Sequence, residues 1–264
     1  MTPVQALALG LVQGLTEFLP VSSSGHLILV PVFLGWPDQG LAFDAAVHLG
    51  TALALLCYFA RDLARLAAGT LSLRPRELRL VIAVGLGTVP AGLAGLLLEK
   101  TLEAYGRSAR VVAVSLIGWA LVLWWADRRA ARATLHEMDD VGPGRGLFIG
   151  CAQILALIPG TSRSGITISA GLVAGLDRAT AARFAFLLGL PITLAAGLLK
   201  TRALLATGLG SGEAAMLGLG LGLLAAFGAG LAAVWFLIRY LRQRTLTVFV
   251  VYRIALGLLV LALA

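Results

Sequence analysis

The chain has 264 residues, 59% of them hydrophobic and 13% charged, with a formal net charge of +8. An ordinary soluble domain carries about 25% charged residues, so this composition excludes one and is read as an all-α polytopic membrane protein. In a soluble protein such a basic surplus would suggest a nucleic-acid partner; here no nucleic acid is expected, and the charge is read as membrane topology.

The first apolar stretch, near 4–35, is interrupted by Pro20 and by the polar run QGLTEFLPVSSSGH at 13–26. No Lys or Arg occurs in the first 60 residues, so the basic n-region of a secretory signal is missing and the N-terminus is expected to belong to the mature fold. Spans of about 20 apolar residues follow near 41–60, 80–98 and 111–126. A polar connector, 127–146, leads to a second broken stretch near 147–176 that contains QILALIPGTSRSG at 153–165. Three further spans lie near 183–199, 214–238 and 247–264, which gives six spans and two broken segments. Cys57 and Cys151 sit alone in apolar sequence without metal-ligand spacing and are expected to be small buried hydrophobes. Trp119, Trp124 and Trp125 are expected to mark interfaces and packing.

The two broken segments superpose without a gap at a spacing of 140: Gly10 on Gly150, Gln13 on Gln153, Leu15 on Leu155, Ser22 on Ser162, Ser24 on Ser164 and Gly25 on Gly165. This is the signature of an internal duplication, with 1–126 as the first repeat and 147–264 as the second. If each broken segment is re-entrant and leaves the membrane on the side it entered, each repeat adds three spans, and an odd number inverts the second copy. Loops 61–79, 127–145, 178–183 and 239–244 then share one face and carry 14 basic residues against 5 on the other, with Arg163 and Arg253 inside apolar sequence. The richer face is cytoplasmic by the positive-inside rule, which leaves both termini outside. Ordinary full spans at 4–35 and 147–176 are the competing reading; they change the topology but not the site.

Local chemistry points to the breaks. Pro20 disfavours helix at Leu19, Ser22, Ser23 and Ser24 are helix N-cap formers, and Gly25 permits close backbone approach. Pro159 and Gly160, followed by Thr161, Ser162 and Ser164, repeat the pattern. Backbone broken at membrane depth must line a cavity or be buried in protein, and helix N-termini there favour anions. Gln13 and Glu17 share a helix face, with Glu17 in the last turn before the break and His26 in the first turn after it. Arg163 is a guanidinium fork suited to phosphate oxygens, and the alternative for it is a structural ion pair with Glu17. For His26 the alternative is a hydrogen-bonded core histidine, and for the serines plain capping. Asp44 and His48 form a secondary pair, expected to satisfy the broken helices or each other rather than to supply a further carboxylate or proton path. Arg253, costly in a membrane unless paired, is expected to face the bundle interior, with a partner that the sequence does not name.

TEFLPVSSSGH, PGTSRSG, FDAAVHLGT at 43–51 and VYR at 251–253 together resemble the bacterial undecaprenyl-diphosphate phosphatases, the integral-membrane type associated with bacitracin resistance, over essentially the whole chain. The resemblance implies hydrolysis of a C55 polyprenyl diphosphate to the monophosphate carrier lipid and phosphate, which recycles the lipid carrier of cell-wall synthesis. It also implies a bacterial cytoplasmic membrane location and a site open to the extracytoplasmic side, assisted by Mg²⁺ or Ca²⁺. By the same resemblance the catalytic residues are Glu17, Ser23, His26 and Arg163. Substrate phosphates fall to Ser22, Ser24, Gly25, Ser162, Ser164 and Gly165, and the divalent cation to Glu17 and Gln13. Many members have Glu where this chain has Gln13, which leaves one carboxylate for the metal. The attacking group is read as Ser23 with His26 as proton carrier, or as water activated by His26. Expected partners are the polyprenyl diphosphate and membrane lipids, with a homodimer possible. The rival function is a transporter or scramblase that uses the same phosphate site, which inverted repeats would favour.

Overall fold

A polar break in an apolar chain must be hidden, and the architecture is organised around hiding two. The computed structural model describes residues 1–105, 108–206 and 213–263, and every regular element among them is helical. The first broken segment is α1 (Pro3–Phe18) and α2 (Ser23–Leu34), followed by α3 (Gly40–Tyr58), α4 (Ala60–Leu71), α5 (Pro75–Tyr105) and α6 (Ala109–Arg129). The second comprises α7 (Pro143–Gln153), one 3₁₀ turn (Ile154–Leu157) and α8 (Arg163–Val173), followed by α9 (Arg178–Ala206), α10 (Glu213–Leu241) and α11 (Thr247–Leu263).

Four helical stretches are long and apolar enough to cross a bilayer: Pro75–Leu98, Ala109–Arg132, Arg178–Leu199 and Met216–Leu241. The apolar part of α3, Phe43–Tyr58, meets α4 at a 68° bend, and the pair makes a fifth span if the two are one. All six expected spans are helices, but α11, at 17 residues, falls short of full-span length. The protein is therefore an integral membrane protein with four to five helices of spanning length among the described residues.

Helix α4 fills much of the stretch 61–79, which the sequence marked only as a connection between spans. Its charges obscured an amphipathic period: Leu66 and Gly69 are buried while Leu71 is 86% exposed, as in a helix lying along a membrane interface. It also helps gather the polar connections at one end of the bundle. Asp62 of α4 accepts from Arg183 of α9 at 3.1 Å, and Arg65 forks onto Asp139 of the connector with two bonds of 2.9 Å. The Arg65 hydrogen bonds hold the Asp139 carboxyl below the usual carboxylate range. Asp127 accepts from Arg178 at 2.5 Å and from the Leu246 backbone at 3.1 Å. Of the five basic residues expected on the other face, Arg107 lies outside the described residues, as do the side chains of Lys100 and Lys200.

The two broken segments pack crosswise. Helix α1 makes its most extensive contact with α10, and α7 makes its own with α5. The equivalent glycines sit at these crossings: a Cβ on Gly10 would lie 2.4 Å from the Gly222 carbonyl oxygen, and one on Gly150 2.0 Å from that of Gly87. Such close approach is the usual means of helix association in lipid, where hydrophobic burial adds little.

Cys57 and Cys151 are free but exposed, which corrects the expectation of burial. An apolar thiol on the outside of a membrane bundle meets lipid rather than water, so nothing drives it inward. Trp124 and Trp125 are about half exposed, with the Arg128 and Arg129 guanidiniums over their rings at 3.9 and 4.2 Å. That placement suits an aromatic belt at the headgroup level.

Candidate active site

The backbone turns where the sequence placed the breaks. Leu19, before Pro20, is extended at φ −65° and ψ 140°, which ends α1. Ser22 and Ser162, equivalent in the duplication, are the N-caps of α2 and α8 and share an unusual positive φ, 76° and 73°. Each side chain accepts from the backbone N–H three residues on, Gly25 at 3.4 Å and Gly165 at 3.1 Å. Each hydroxyl also meets the serine two residues on, Ser24 at 3.4 Å and Ser164 at 3.1 Å. The cap geometry therefore recurs in both copies, and the first turns of α2 and α8 present the unpaired N–H groups that favour an anion.

The side chains make the copies unequal. Glu17 is the centre of the first. One carboxylate oxygen, Oε1, accepts from the Arg163 guanidinium, and the other, Oε2, accepts from Ser23 Oγ at 2.5 Å and from Gln13 Nε2 at 3.0 Å. Arg163 is held in turn by the Gly189 carbonyl at 2.9 Å and by Thr193 Oγ1. The ion pair with Glu17 considered for Arg163 is thus present, and it joins the two halves. Glu17 is 6% exposed at its side chain and Arg163 19%, so each charge depends on the other. Among the described residues no other side-chain ion pair spans these two segments.

His26 goes elsewhere. Its Nδ1 lies 2.7 Å from the Ser22 carbonyl, which can only accept, so Nδ1 donates; in the neutral ring Nε2 then accepts from Tyr252 of α11 at 2.6 Å. The two rings are stacked at 7°. Ser23 is therefore brought to Glu17, and both His26 nitrogens are engaged with other groups. Ser162 and Ser164 are buried, and Ser164 Oγ donates to the Leu19 carbonyl at 3.2 Å, so Ser164 ties the second break to the first. Ser23 is half-buried and Ser24 exposed, which makes the start of α2 the reachable side.

Arg253, fully buried, finds carbonyls where the sequence named no partner. It donates to Leu116 at 3.2 Å, Pro20 at 3.2 Å, and Gly160 and Thr161 at 2.9 Å each. One guanidinium thus binds backbone from both breaks. It lies just past the C-terminal ends of α1 and of the turn after α7, where the helix dipoles favour a cation.

A family comparison decides the assignment. The model for the bacitracin resistance protein BacA family matches residues 6–259. The chain belongs to the BacA family. It is 46% identical to the undecaprenyl-diphosphatase of Trichlorobacter lovleyi, over 100% of this chain and 97% of that one. It is 44% identical to the undecaprenyl-diphosphatase of Moorella thermoacetica, over 99% and 98%, and 47% identical to that of Alcanivorax borkumensis, over 97% of each.

Within this BacA-family site, sequence reasoning missed Thr193 and Tyr252, and it placed His48 with Asp44 or the broken helices without naming Glu17. His48 Nε2 lies 3.7 Å from Glu17 Oε2 and its Nδ1 meets the Asp44 carbonyl at 2.6 Å, while the Asp44 carboxylate accepts from Gln39 at 2.8 Å. Thr193 steadies Arg163, and Tyr252 holds His26. The motifs FDAAVHLGT and VYR contain His48, Tyr252 and Arg253, which was the available signal. Spacing alone could not say that α3 and α11 reach the breaks.

Proposed function

We infer that the chain is an undecaprenyl-diphosphatase, hydrolysing undecaprenyl diphosphate to undecaprenyl phosphate and inorganic phosphate in carrier-lipid recycling. Full-length similarity to enzymes of that name supports the reading. The observation that carries it chemically is Ser23 donating to Glu17 at 2.5 Å, with Glu17 in turn bound to Arg163. A hydroxyl on a carboxylate beside a guanidinium supplies a nucleophile, its base and a phosphate ligand in one contact chain.

In this mechanism Ser23 Oγ attacks the terminal phosphorus and its proton passes to Glu17 Oε2. The bond between that phosphorus and the bridging oxygen breaks, and undecaprenyl phosphate leaves. Water then attacks the phosphorus of the phosphoserine, the bond from phosphorus to Ser23 Oγ breaks, Glu17 returns its proton to Oγ, and phosphate leaves with the protons of the water. Arg163, Ser24 and the first N–H groups of α2 bind the equatorial oxygens, where charge spreads in the transition state. Ser22, Gly25, Ser162, Ser164 and Gly165 hold the shape of the two breaks. His26 orients the start of α2 through Ser22 and Tyr252.

The residues fit a divalent cation of the Mg²⁺ or Ca²⁺ kind. Gln13 Oε1 is buried with no partner beside Glu17, which is the oxygen donor chemistry such ions take. The Glu17–Arg163 pair is also neutral in sum, so a diphosphate brings more negative charge than these two side chains offset. No group of three or more His, Cys, Asp or Glu able to hold a metal occurs among the described residues, so substrate oxygens and water would complete the shell around Glu17 and Gln13. When bound, the cation would neutralise charge on the diphosphate oxygens.

The deciding measurement is phosphate release from undecaprenyl diphosphate by purified protein. Ser23→Ala is expected to lower it at least about 1,000-fold, the scale of losing a nucleophile that acts with its partners as a unit. An unchanged rate would remove Ser23 as nucleophile. Wild-type protein that moves the lipid across vesicles yet releases no phosphate would favour the transporter reading.

We also place the chain in the bacterial inner membrane as an inverted repeat of six spans and two re-entrant segments, with the site open to the extracytoplasmic side. The matching caps at Ser22 and Ser162 and the crossed packing of α1 on α10 and α7 on α5 support that arrangement. With Cys57 and Cys151 replaced by serine, a cysteine introduced by Arg74→Cys is expected to label only from the cytoplasm, and one introduced by Arg202→Cys only from outside. The reverse pattern would invert the topology.

A further inference from the structure

His48 stands on α3 with its ring fixed. Nδ1 lies 2.6 Å from the Asp44 carbonyl; that oxygen only accepts, so Nδ1 carries the hydrogen and the neutral ring presents a lone pair at Nε2. Opposite it, at 3.7 Å, is Glu17 Oε2, which is also an electron-pair donor. In the neutral ring these two lone pairs face one another, and either a proton on Nε2 or a metal cation between them satisfies both. Bonds of ~2.0–2.2 Å to one cation set neighbouring donors about 3–4 Å apart, which is the spacing found.

A third donor adjoins them. The Gln13 amide touches the same Glu17 oxygen through Nε2 at 3.0 Å, while its buried Oε1 has no partner. The two ends of an amide are nearly the same shape, so a half-turn presents the carbonyl oxygen in place of the NH₂. Gln13 and neutral His48 add donor atoms without adding charge. Both charges of a bound cation then remain available to a diphosphate.

We propose that His48 Nε2 joins Glu17 Oε2 and Gln13 Oε1 as a third protein ligand of the divalent cation, and that this imidazole shifts the site's preference from Ca²⁺ toward the first-row transition metals, for which Mn²⁺ is the paramagnetic probe. The proposal rests on the reading that Glu17 and Gln13 hold the cation. Carboxylate and carbonyl oxygens alone suit Mg²⁺, Ca²⁺ and Mn²⁺ alike, whereas imidazole suits transition metals. A metal-bound histidine ordinarily donates its other ring N–H to a carboxylate or a backbone carbonyl, and here Asp44 provides that carbonyl. The His48 side chain is 33% exposed against 6% for Glu17, so the histidine is the side from which a hydrated ion approaches.

The test is Mn²⁺ binding to metal-stripped, detergent-solubilised protein, followed by electron paramagnetic resonance. Wild-type protein is expected to bind Mn²⁺ and to show, in pulsed spectra, the nitrogen coupling of a directly bound imidazole. His48→Gln is expected to lose that coupling and to weaken Mn²⁺ at least about tenfold, with a smaller change in Ca²⁺ affinity measured by calorimetry. Mn²⁺ bound to wild type without nitrogen coupling overturns the proposal, and because that reading needs no variant it stands whether or not His48→Gln folds. Coupling that persists in His48→Gln, or no Mn²⁺ binding at all, overturns it equally. Arg163→Ala is expected to abolish phosphate release yet keep the nitrogen coupling. Failure of the enzyme reading would appear separately, as wild-type protein that releases no phosphate with any cation.

Discussion

Arg253→Met is expected to leave little folded protein, although residue 253 touches no part of the reacting chain Ser23–Glu17–Arg163. The guanidinium donates to four carbonyls, and three of them, Pro20, Gly160 and Thr161, belong to the breaks. These carbonyls have left their helices and lie where water and lipid cannot replace the lost donors. Each hydrogen bond to a charged group contributes about 1.5–3 kcal/mol, so even with strong non-additivity the loss should exceed about 4 kcal/mol, well beyond the ordinary range for one substitution. Arg253→Lys should rescue little, since a single ammonium cannot reproduce the planar fork that spans two segments. Thermal unfolding in detergent and recovery of monodisperse protein are the measurements. A methionine variant that unfolds within a few degrees of wild type would show that the breaks hold themselves.

Glu17→Ala is expected to do two separable things. Its partner Arg163 becomes an unpaired buried charge, a loss of about 3–5 kcal/mol when one member of a buried pair is removed. It also removes the acceptor of the Ser23 proton, so phosphate release should fall at least about 1,000-fold. Adding Arg163→Ala should return much of the stability, because no unpaired charge remains, and should return none of the activity. The double-mutant cycle therefore distinguishes a strut from a catalytic pair. Full stability in Glu17→Ala alone would mean that the pair bears no structural burden, and activity regained in the double variant would remove both residues from the chemistry.

Much of this was legible in the chain because breaking a helix requires particular residues. Pro20 and the serines after it fixed where α1 stops and α2 starts, and the spacing of 140 residues carried the same geometry to Ser162. What stayed hidden was whatever depends on backbone or on packing between distant helices. The partners of Arg253 are carbonyls, which no side-chain pattern encodes. His48 reaches Glu17 only because α3 lies against α1, and the pattern within α3 records its distance to Asp44 alone. Ser162 and Ser164 have the same residue types as Ser22 and Ser24, yet they are buried where Ser24 is exposed, since access is a property of the assembled bundle. Helix α4 was obscured by its own charges, whose partners Arg183 and Asp139 lie far away in sequence.

The crossed packing of the broken segments also sets an order of events during synthesis. Helix α1 is made well before its main partner, α10, and the guanidinium that ties the two breaks together, Arg253, comes later still. A nascent chain would hold its first polar break in the bilayer, without its final hydrogen-bond donors, until α11 had been inserted. Assembly of the catalytic groups is thereby coupled to synthesis of α11, and a ribosome that stopped short of it would leave a product with Glu17 and Ser23 present but without the Arg253 guanidinium that binds the two breaks together.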